Sequence, residues 1–507
     1  MRLNILIGGK AGQGINKVST IVSKTLINQG YFTFNYRDYP SIIRGGHNFN
    51  VLSVSDKPIS SHESKVDIII AIDELTKQIH EIQLKKDGVI IDYKPFLNEG
   101  RNLNIALSGA LASILGIPEK ALLAEIKNNP KTNNAQSLQA AKVGYKSQSD
   151  KYNLKKLNNN LSIMSGSQAV AIGAINSKID LYIAYPMTPA TGVLHELAAK
   201  QIENKMMVFQ PEGEIAAVNM GLGASFSGAR TMVGTSGGGF DLMAEGLSLQ
   251  GISEIPLTVY LASRVGPGTG LPTYNMQGDL DIALRSGHGE FPRVVASPGD
   301  PLESIEITNE LMFLAEKFKT LSIILTDKHV AESEFSTSQK PKKPLKINIT
   351  RSLPHKTIVK SSSYDQDDYG LTTEDAMYAT INAEARLEKY EEIKKACNSL
   401  EMTKLHGKTN SKNLIIGWGS TKGAILDAIG GEDFKFLQVL YLKPMSKIIK
   451  QEMQKAKNII LVESNLTGQL GRLIREKTGI SIKKRILKYD GRPFTSDELN
   501  KQLKKYV

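Results

Sequence analysis

Short apolar runs alternate with amphipathic stretches along the chain, separated by breaks rich in glycine, proline and small polar residues. Residues 3–7 are apolar and β-prone, and Gly8-Gly9-Lys10-Ala11-Gly12-Gln13-Gly14 follows at once. Val18, Ile21, Val22, Thr25 and Leu26 then fall on one face of a helix over about 16–28. Residues 66–72 and 88–92 read as buried strands, 109–116 and 119–128 as helices, and the polar run 155–160 as a linker. Beyond it, 165–175 is a helix of small residues, and apolar runs lead into Tyr185 and Gly234. Strands follow at 257–262, 292–297 and 321–326, with a helix over 300–313 that carries Asp300, Glu303 and Glu306 near its N-terminal end, where the helix dipole favours acids. Residues 337–360 turn to Lys, Pro, Ser and Thr, an exposed connector, and 375–395 are helical and charged. Runs at 413–420, 439–442 and 458–463 begin a third set of strands. This alternation predicts an α/β chain of three domains with mainly parallel sheets, over 1–157, 162–336 and 411–507, with 337–410 a linker bearing the charged helix.

At 507 residues the chain is too long for one typical domain. Its net charge of +12 raises the question of nucleic acid, but the lysines are scattered, aromatics make up only 6% and no run interleaves the two. The basic balance reads instead as a solvated surface that attracts acidic partners or polyphosphate ligands, with no nucleic acid bound. The single cysteine, Cys397, excludes internal disulfides and an iron–sulfur cluster held by this chain alone. No apolar run is long enough for a bilayer and the amino terminus lacks a signal-peptide pattern, so no membrane and a cytoplasmic location are expected.

Candidate chemistry concentrates between Asp180 and Gly239. Tyr185-Pro186-Met187-Thr188-Pro189-Ala190-Thr191 and, further on, Gly234-Thr235-Ser236-Gly237-Gly238-Gly239 each follow a predicted buried strand, where open α/β sheets bind ligands. Between them Glu214 leads a helix of small residues (Ala216, Ala217, Gly221, Gly223, Ala224, Ser225) that lets a backbone or flat ring approach. Arg264 stands just past the 257–262 strand, before Gly266-Pro267-Gly268-Thr269-Gly270-Leu271-Pro272-Thr273.

These motifs resemble the 2-oxoacid:ferredoxin oxidoreductases. The family carries Tyr-Pro-Ile-Thr-Pro-Ser-Ser where this chain has Tyr185 to Thr191, with Met187, Ala190 and Thr191 as departures. It also carries an Arg before Gly-Pro-Ser-Thr-Gly-Leu-Pro-Thr, with Gly268 replacing the Ser here. The glycine loop and Arg44-Gly45-Gly46-His47 resemble the family's gamma domain, which lies near the coenzyme A site, here placed ahead of the alpha part. The resemblance implies a gamma-type domain, a thiamine diphosphate pyrimidine-binding domain and a transketolase C-terminal-like domain. It implies oxidative decarboxylation of a 2-oxoacid, with electrons to ferredoxin and the acyl group to coenzyme A. The gamma-before-alpha order looks most like the 2-oxoglutarate branch.

Residue by residue, the resemblance makes Glu214 the carboxyl group that activates the cofactor's aminopyrimidine, with Glu212 as its rival, and Tyr185 a cofactor contact. Arg264 and Thr188 would hold the substrate carboxylate, with Thr269 and Thr273 lining the same pocket. Each has a plainer reading: a solvated helix-terminal acid for Glu214, a strand-end salt bridge for Arg264, a helix N-cap for Thr188. Gly12 and Gly14 are candidate cofactor contacts, yet Ile15 and Asn16 stand where a P-loop needs Lys and Ser/Thr, so a tight structural turn is as good a reading. His47, His195, His288 and His329 lack metal-ligand spacing; His288 is a pocket candidate, and no metal site is expected in this chain. The related diphosphate and Mg2+ half-site contains Gly-Asp-Gly, which neither Gly278-Asp279-Leu280 nor Asp490-Gly491 completes. A beta subunit carrying that half-site and an iron–sulfur cluster is therefore expected, in an αβ or (αβ)2 assembly. The alternatives are a non-catalytic nucleotide- or coenzyme-binding regulatory subunit, or an NAD-dependent dehydrogenase using the Gly8–Gly14 loop and Asp38.

Overall fold

Residues 1–42, 46–348, 351, 356–360 and 362–507 are described in a computed structural model, so Arg44 and Gly45 of the basic loop lie outside the described residues. The predicted strands and helices become three sheets with helices between them. The chain packs into two compact units.

The first unit comprises residues 1–164, with 333–340 and 495–501 returning to it. Its seven-stranded sheet runs Leu84–Asp92, Val66–Ala71, Arg2–Gly9, Asn48–Ser55, Phe32–Asp38, Glu334–Thr337, Ser162–Ser165. The first three are parallel, whereas Asn48–Ser55 pairs antiparallel with Arg2–Gly9 and Phe32–Asp38, and Glu334–Thr337 pairs antiparallel with Phe32–Asp38. The two internal antiparallel strands escape a search for apolar runs because polar side chains are buried in them and satisfy one another. Asn50 donates to Asn16 and Ser19, each at 2.9 Å, and Ser53 donates to Asn4 at 2.6 Å.

The second unit comprises 165–332, 341–494 and 502–507. One sheet has the order Tyr441–Lys443, Arg293–Ala296, Leu321–Asp327, Leu257–Ser263, Thr231–Thr235, Leu181–Ile183, Met207–Phe209. All its pairings are parallel except that of Tyr441–Lys443. Tyr441–Lys443, at one edge, thus comes from the segment read in the sequence as part of the third set. The other sheet, Thr403–Gly407, Lys435–Val439, Asn413–Trp418, Asn458–Glu463, Lys484–Leu487, is parallel apart from its first strand. One apolar core, which includes Val259, Leu321, Leu414 and Leu437, serves both sheets.

A buried ion cluster ties the two sheets of this unit. Glu303, in the first turn of the helix Pro301–Phe318, is 2% exposed and accepts from Lys422 at 2.6 Å, Lys404 at 3.0 Å, Gln438 at 2.7 Å and the Gly299 N–H at 2.8 Å. Asp300, the N-cap of that helix, also pairs with Lys422. Burial alone would raise the Glu303 pKa, but the two lysines outweigh it and hold the carboxyl down at about 2. Its stabilising effect is therefore complete above the ordinary glutamate value near 4.5 and is lost as pH falls from there towards 2. Lys422→Met should cost about 3 kcal/mol in chemical denaturation by leaving Glu303 underpaired, and Glu303→Leu combined with Lys422→Met should recover most of it. A single Lys422→Met variant as stable as the wild type would remove this cluster from the account.

Candidate functional site

Loops follow the C-terminal ends of the parallel strands Leu181–Ile183, Thr231–Thr235 and Leu257–Ser263. Glu214 is the first residue of the helix Glu214–Phe226 and is only 4% exposed, whereas Glu212 is exposed. Its Oε1 is buried and has no hydrogen-bond partner. A solvated helix-terminal acid would look different: this carboxyl group is set into the protein with one oxygen unsatisfied. Gly239 permits it, because a Cβ there would overlap both Glu214 Oε1 and Thr235 Oγ1.

Arg264 follows the strand Leu257–Ser263 and its Nη1 donates to the Thr188 carbonyl at 3.0 Å. No ion pair engages its guanidinium among the described residues; burial lowers its basicity, opposed by the charges of Asp279 and Glu214. The strand-end salt-bridge reading therefore fails for Arg264. Thr188 is half-buried, and the N-cap of the following helix, Thr191–Lys200, is Ala190, so the Thr188 hydroxyl does not cap that helix. Three residues singled out in the sequence, Glu214, Thr188 and Arg264, are thus brought together around one unpaired guanidinium and one unsatisfied carboxylate oxygen.

The remaining candidates are more dispersed. Tyr185 is 38% exposed at the rim, Thr269 sits on the exposed loop after Arg264, and Thr273 is buried. His288 lines a cavity of about 670 Å³ with Ile215, Asn219, Leu242 and Glu245, and its backbone N–H donates to Ser248 at 2.8 Å. His195 is exposed, His47 half-buried and His329 buried. Among the described residues no group of three or more His, Cys, Asp or Glu is placed to hold a metal ion.

Asp279 escaped the sequence reading, appearing there only as a failed Gly-Asp-Gly match. Burial lifts its carboxyl pKa to about 6 in spite of the nearby Ser263 hydroxyl and Arg264, with Asp241 adding to the rise. Its Oδ2 is buried without a hydrogen-bond partner, as is the Ser263 hydroxyl, which lies close without closing a standard bond. A Cβ on Gly237 would come within 2.6 Å of this carboxylate. The available signal was position: Asp279 directly precedes the short helix Leu280–Arg285, in the loop that Arg264 opens.

In the first unit, Gly12 and Gly14 both have φ near 90°, the left-handed region that favours glycine, and Gly14 leads directly into the helix Ile15–Asn28. The loop is closed by its own residues: Gln13 Oε1 accepts from the Lys10 N–H at 2.6 Å. Space around Gly12 is open, while Gly14 is covered by the Asn104 side chain. Asp38 is buried and accepts from the Tyr36 hydroxyl at 3.0 Å, which does not suit it to hold a ribose.

Comparison with known proteins bears on both units. Residues 4–96 match the model of the pyruvate ferredoxin/flavodoxin oxidoreductase family, and 172–402 match that of the thiamine diphosphate-binding domain of pyruvate flavodoxin/ferredoxin oxidoreductases. A 2-oxoacid:ferredoxin oxidoreductase alpha subunit from a Sulfolobus species is 29% identical, the match covering 100% of this chain and 97% of that one. A 2-oxoglutarate synthase subunit, KorA, of Archaeoglobus fulgidus is 35% identical over 36% of this chain and 52% of its own length. The fold matches the 2-oxoglutarate:ferredoxin oxidoreductase of Magnetococcus marinus, solved with 2-oxoglutarate, coenzyme A and succinyl-CoA bound, with a TM-score of 0.90 at 24% identity, over 100% of this chain and 99% of that one.

The packing around this site makes one steric prediction. A Cβ on Gly234 would overlap the hydroxyl of Tyr182, which is fully buried and has no hydrogen-bond partner. Gly234→Ala should therefore destabilise by about 2 kcal/mol. Tyr182→Phe alone should be nearly neutral, since it removes an unsatisfied polar atom, and the double variant should regain most of the loss in thermal or denaturant unfolding. Strict additivity of the two changes would refute the clash.

Proposed function

The chain belongs to the 2-oxoacid:ferredoxin oxidoreductase family, and from that premise we propose that it is the gamma–alpha subunit of an enzyme converting 2-oxoglutarate, coenzyme A and oxidised ferredoxin to the acyl-CoA, CO2 and reduced ferredoxin. On this reading 1–157 are the gamma-type part, 162–336 the pyrimidine-binding part, 337–410 the linker with the charged helix, and 411–507 the transketolase C-terminal-like part. The choice of 2-oxoglutarate rests on the order of the parts and on the relatives that bear its name. The observation that carries the site assignment is the buried, unpartnered Oε1 of Glu214 under Gly239.

Those residues fit thiamine diphosphate. A pyrimidine-ring nitrogen would satisfy the Glu214 oxygen, the glycines at 237–239 put no side chain over the carboxyl group, and Tyr185 stands at the rim. When bound, the cofactor supplies a nucleophilic carbon and a sink for the electron pair left as CO2 departs. Glu214 holds a proton at the ring nitrogen and so favours the tautomer that can remove a proton. Arg264, its fork unpaired and anchored through one Nη1 to the Thr188 carbonyl, binds the substrate carboxylate, and the Thr188 hydroxyl donates to the same group or the adjoining carbonyl. Thr269 and Thr273 bear on substrate choice from the same loop. In the first unit, the open space at Gly12 and the left-handed turn to Gly14 suit coenzyme A phosphate, and His47 stands beside that loop's neighbour Gly8.

Our reading places the remaining chemistry on a beta subunit bearing the diphosphate and Mg2+ half-site and the iron–sulfur cluster, in an αβ or (αβ)2 assembly in the cytoplasm. It is supported by the lone Cys397 and by an apolar surface beside Glu214. Met207 and Phe209 of the edge strand are 61% and 45% exposed, and Ile215, Met220 and Leu242 are 59%, 41% and 54% exposed. Apolar side chains at the mouth of a half-built site point to an obligate partner. No helix among the described residues is long and apolar enough to cross a membrane.

In the assembled enzyme, Glu214→Gln should reduce turnover at least a hundredfold with folding intact, while Glu212→Gln should change it less than threefold; the reverse order would move the activating carboxyl group to Glu212. Arg264→Lys should raise the KM for 2-oxoglutarate strongly, because an ammonium cannot form the bidentate fork. The purified chain alone, given thiamine diphosphate, Mg2+, coenzyme A and a viologen dye, should not reduce the dye with any 2-oxoacid. Robust reduction by the lone chain would overturn the two-subunit assignment.

A further inference from the structure

The site contains a second buried carboxyl group that the activating role of Glu214 does not use. Asp279 stands at the far end of the loop opened by Arg264, and that loop is held rigidly. Gln277 donates from Nε2 to the Trp418 carbonyl at 2.8 Å and accepts from the Ser464 N–H at 2.9 Å, and the Leu280 N–H donates to Gln469 at 3.1 Å. Asp279 Oδ2 is buried and unpartnered, and its carboxylate lies against the bare Cα of Gly237, two residues before the Gly239 that lies against Glu214 Oε1. Arg264, whose charge reaches Asp279, makes no ion pair with it or with any other described residue. A carboxylate beside an arginine ordinarily closes a salt bridge. Here no ion pair joins them, Arg264 is engaged only through Nη1 with the Thr188 carbonyl, and Asp279 Oδ2 keeps no partner, which suits a third group between them.

We propose that Asp279 is a further substrate-binding residue, donating the proton on its Oδ2 to the carboxylate of the 2-oxoacid while Arg264 grips the same carboxylate. The assignment rests on the reading of Arg264 given above. A protonated carboxyl group is a donor, and an ionised one beside an incoming carboxylate is a repulsive neighbour. The electrostatic surroundings favour the protonated form. Burial moves the carboxyl pKa up to about 6, and the arrival of a substrate anion raises it further. Asp241 from the helix Gly237–Leu242 adds negative charge, while the Ser263 hydroxyl and Arg264 oppose the rise without reversing it. On the solvent side Asp281, two residues further on, is neutralised by Arg285 and Arg472.

The sign follows from linkage. Substrate binds the protonated form, so above a free pKa near 6 binding takes up a proton and weakens towards tenfold per pH unit. The test uses the chain assembled with its beta subunit, 2-oxoglutarate and viologen reduction between pH 6 and 8.5. Wild-type KM should rise at least tenfold from pH 6 to pH 8. In Asp279→Asn the amide donates at every pH, so KM should stay low and vary less than twofold. In Asp279→Leu it should be high and flat. A flat wild-type profile, or a slope that persists in Asp279→Asn, would overturn the proposal. If the variants do not fold, calorimetry decides: wild-type assembly without thiamine diphosphate should take up about one proton per 2-oxoglutarate bound at pH 7.5, measured in two buffers of different ionisation enthalpy, and no uptake rejects the role. Failure of every 2-oxoacid to support dye reduction by the wild-type assembly would instead overturn the functional reading itself.

Discussion

The loop that carries Arg264 and Asp279 depends on one buried carboxylate far from it in sequence. Glu463, fully buried at the end of the strand Asn458–Glu463, accepts from Trp418 Nε1 at 3.1 Å, Asn465 Nδ2 at 2.8 Å and the N–H groups of Leu470 and Gly471 at 3.0 and 3.2 Å. Burying an acid without a cation costs several kcal/mol, and four donors offset that cost. The effect is to fix the turn 463–471, whose Asn465 and Ser464 then engage Gln277 through three hydrogen bonds. Trp418 completes the arrangement by accepting from Gln277. Arg264 and Asp279 thus belong to a loop whose shape is dictated by the last sheet of the chain, so the third set of strands is part of the site's scaffold although it supplies no group to it.

That scaffold leaves the site itself poor in internal bonds. Glu214, Asp279, Tyr182 and Ser236 each present a buried polar atom with no partner, close to a turn of glycines. At Glu303 and Glu463 the same unit satisfies a buried carboxylate with four donors each, although Arg293 Nε and Gln250 Oε1 are also buried without a partner. Unsatisfied buried polar atoms cost stability, and two carboxylate oxygens left so beside one arginine are what sets Glu214 and Asp279 apart from Glu303 and Glu463.

Much of this was legible in the sequence, and the failures have identifiable causes. Parallel strands buried on both faces read as continuous apolar runs, so the strands ending near Tyr185, Gly234 and Arg264 stood out, as did the helix at Glu214. Phe32–Asp38 and Asn48–Ser55 did not, because their buried asparagines and serines mimic surface residues. Tyr441–Lys443 was read with the third set of strands since it follows Lys435–Val439 almost directly, and nothing local announces that it leaves to pair with Arg293–Ala296. Glu214 could be preferred to Glu212 only through family resemblance; burial supplies a physical reason for the same choice. Asp279 was passed over because a lone acid in a polar loop has no periodicity, and its significance lies in long-range hydrogen bonds through Gln277.

The distribution of charge and apolar surface carries the argument one step further. The net charge of +12 is spread over lysines on all parts of the chain, yet the surface around Glu214 is apolar at Met207, Phe209, Ile215 and Leu242. Lysine-rich surfaces repel their own copies, so an apolar opening within such a surface would suit the proposed partner if its contact were hydrophobic at the centre and acidic at the rim. Closing that opening would also remove water from Glu214, Arg264 and Asp279 at once. Electrostatic interactions among two acids and one guanidinium strengthen as the local dielectric falls, so on the proposed reading assembly would tune the same groups assigned to the substrate. On the proposed two-subunit reading, partner recognition and chemistry become a single constraint: the buried atoms without partners at Glu214 and Asp279 would belong to a site whose last wall another polypeptide supplies.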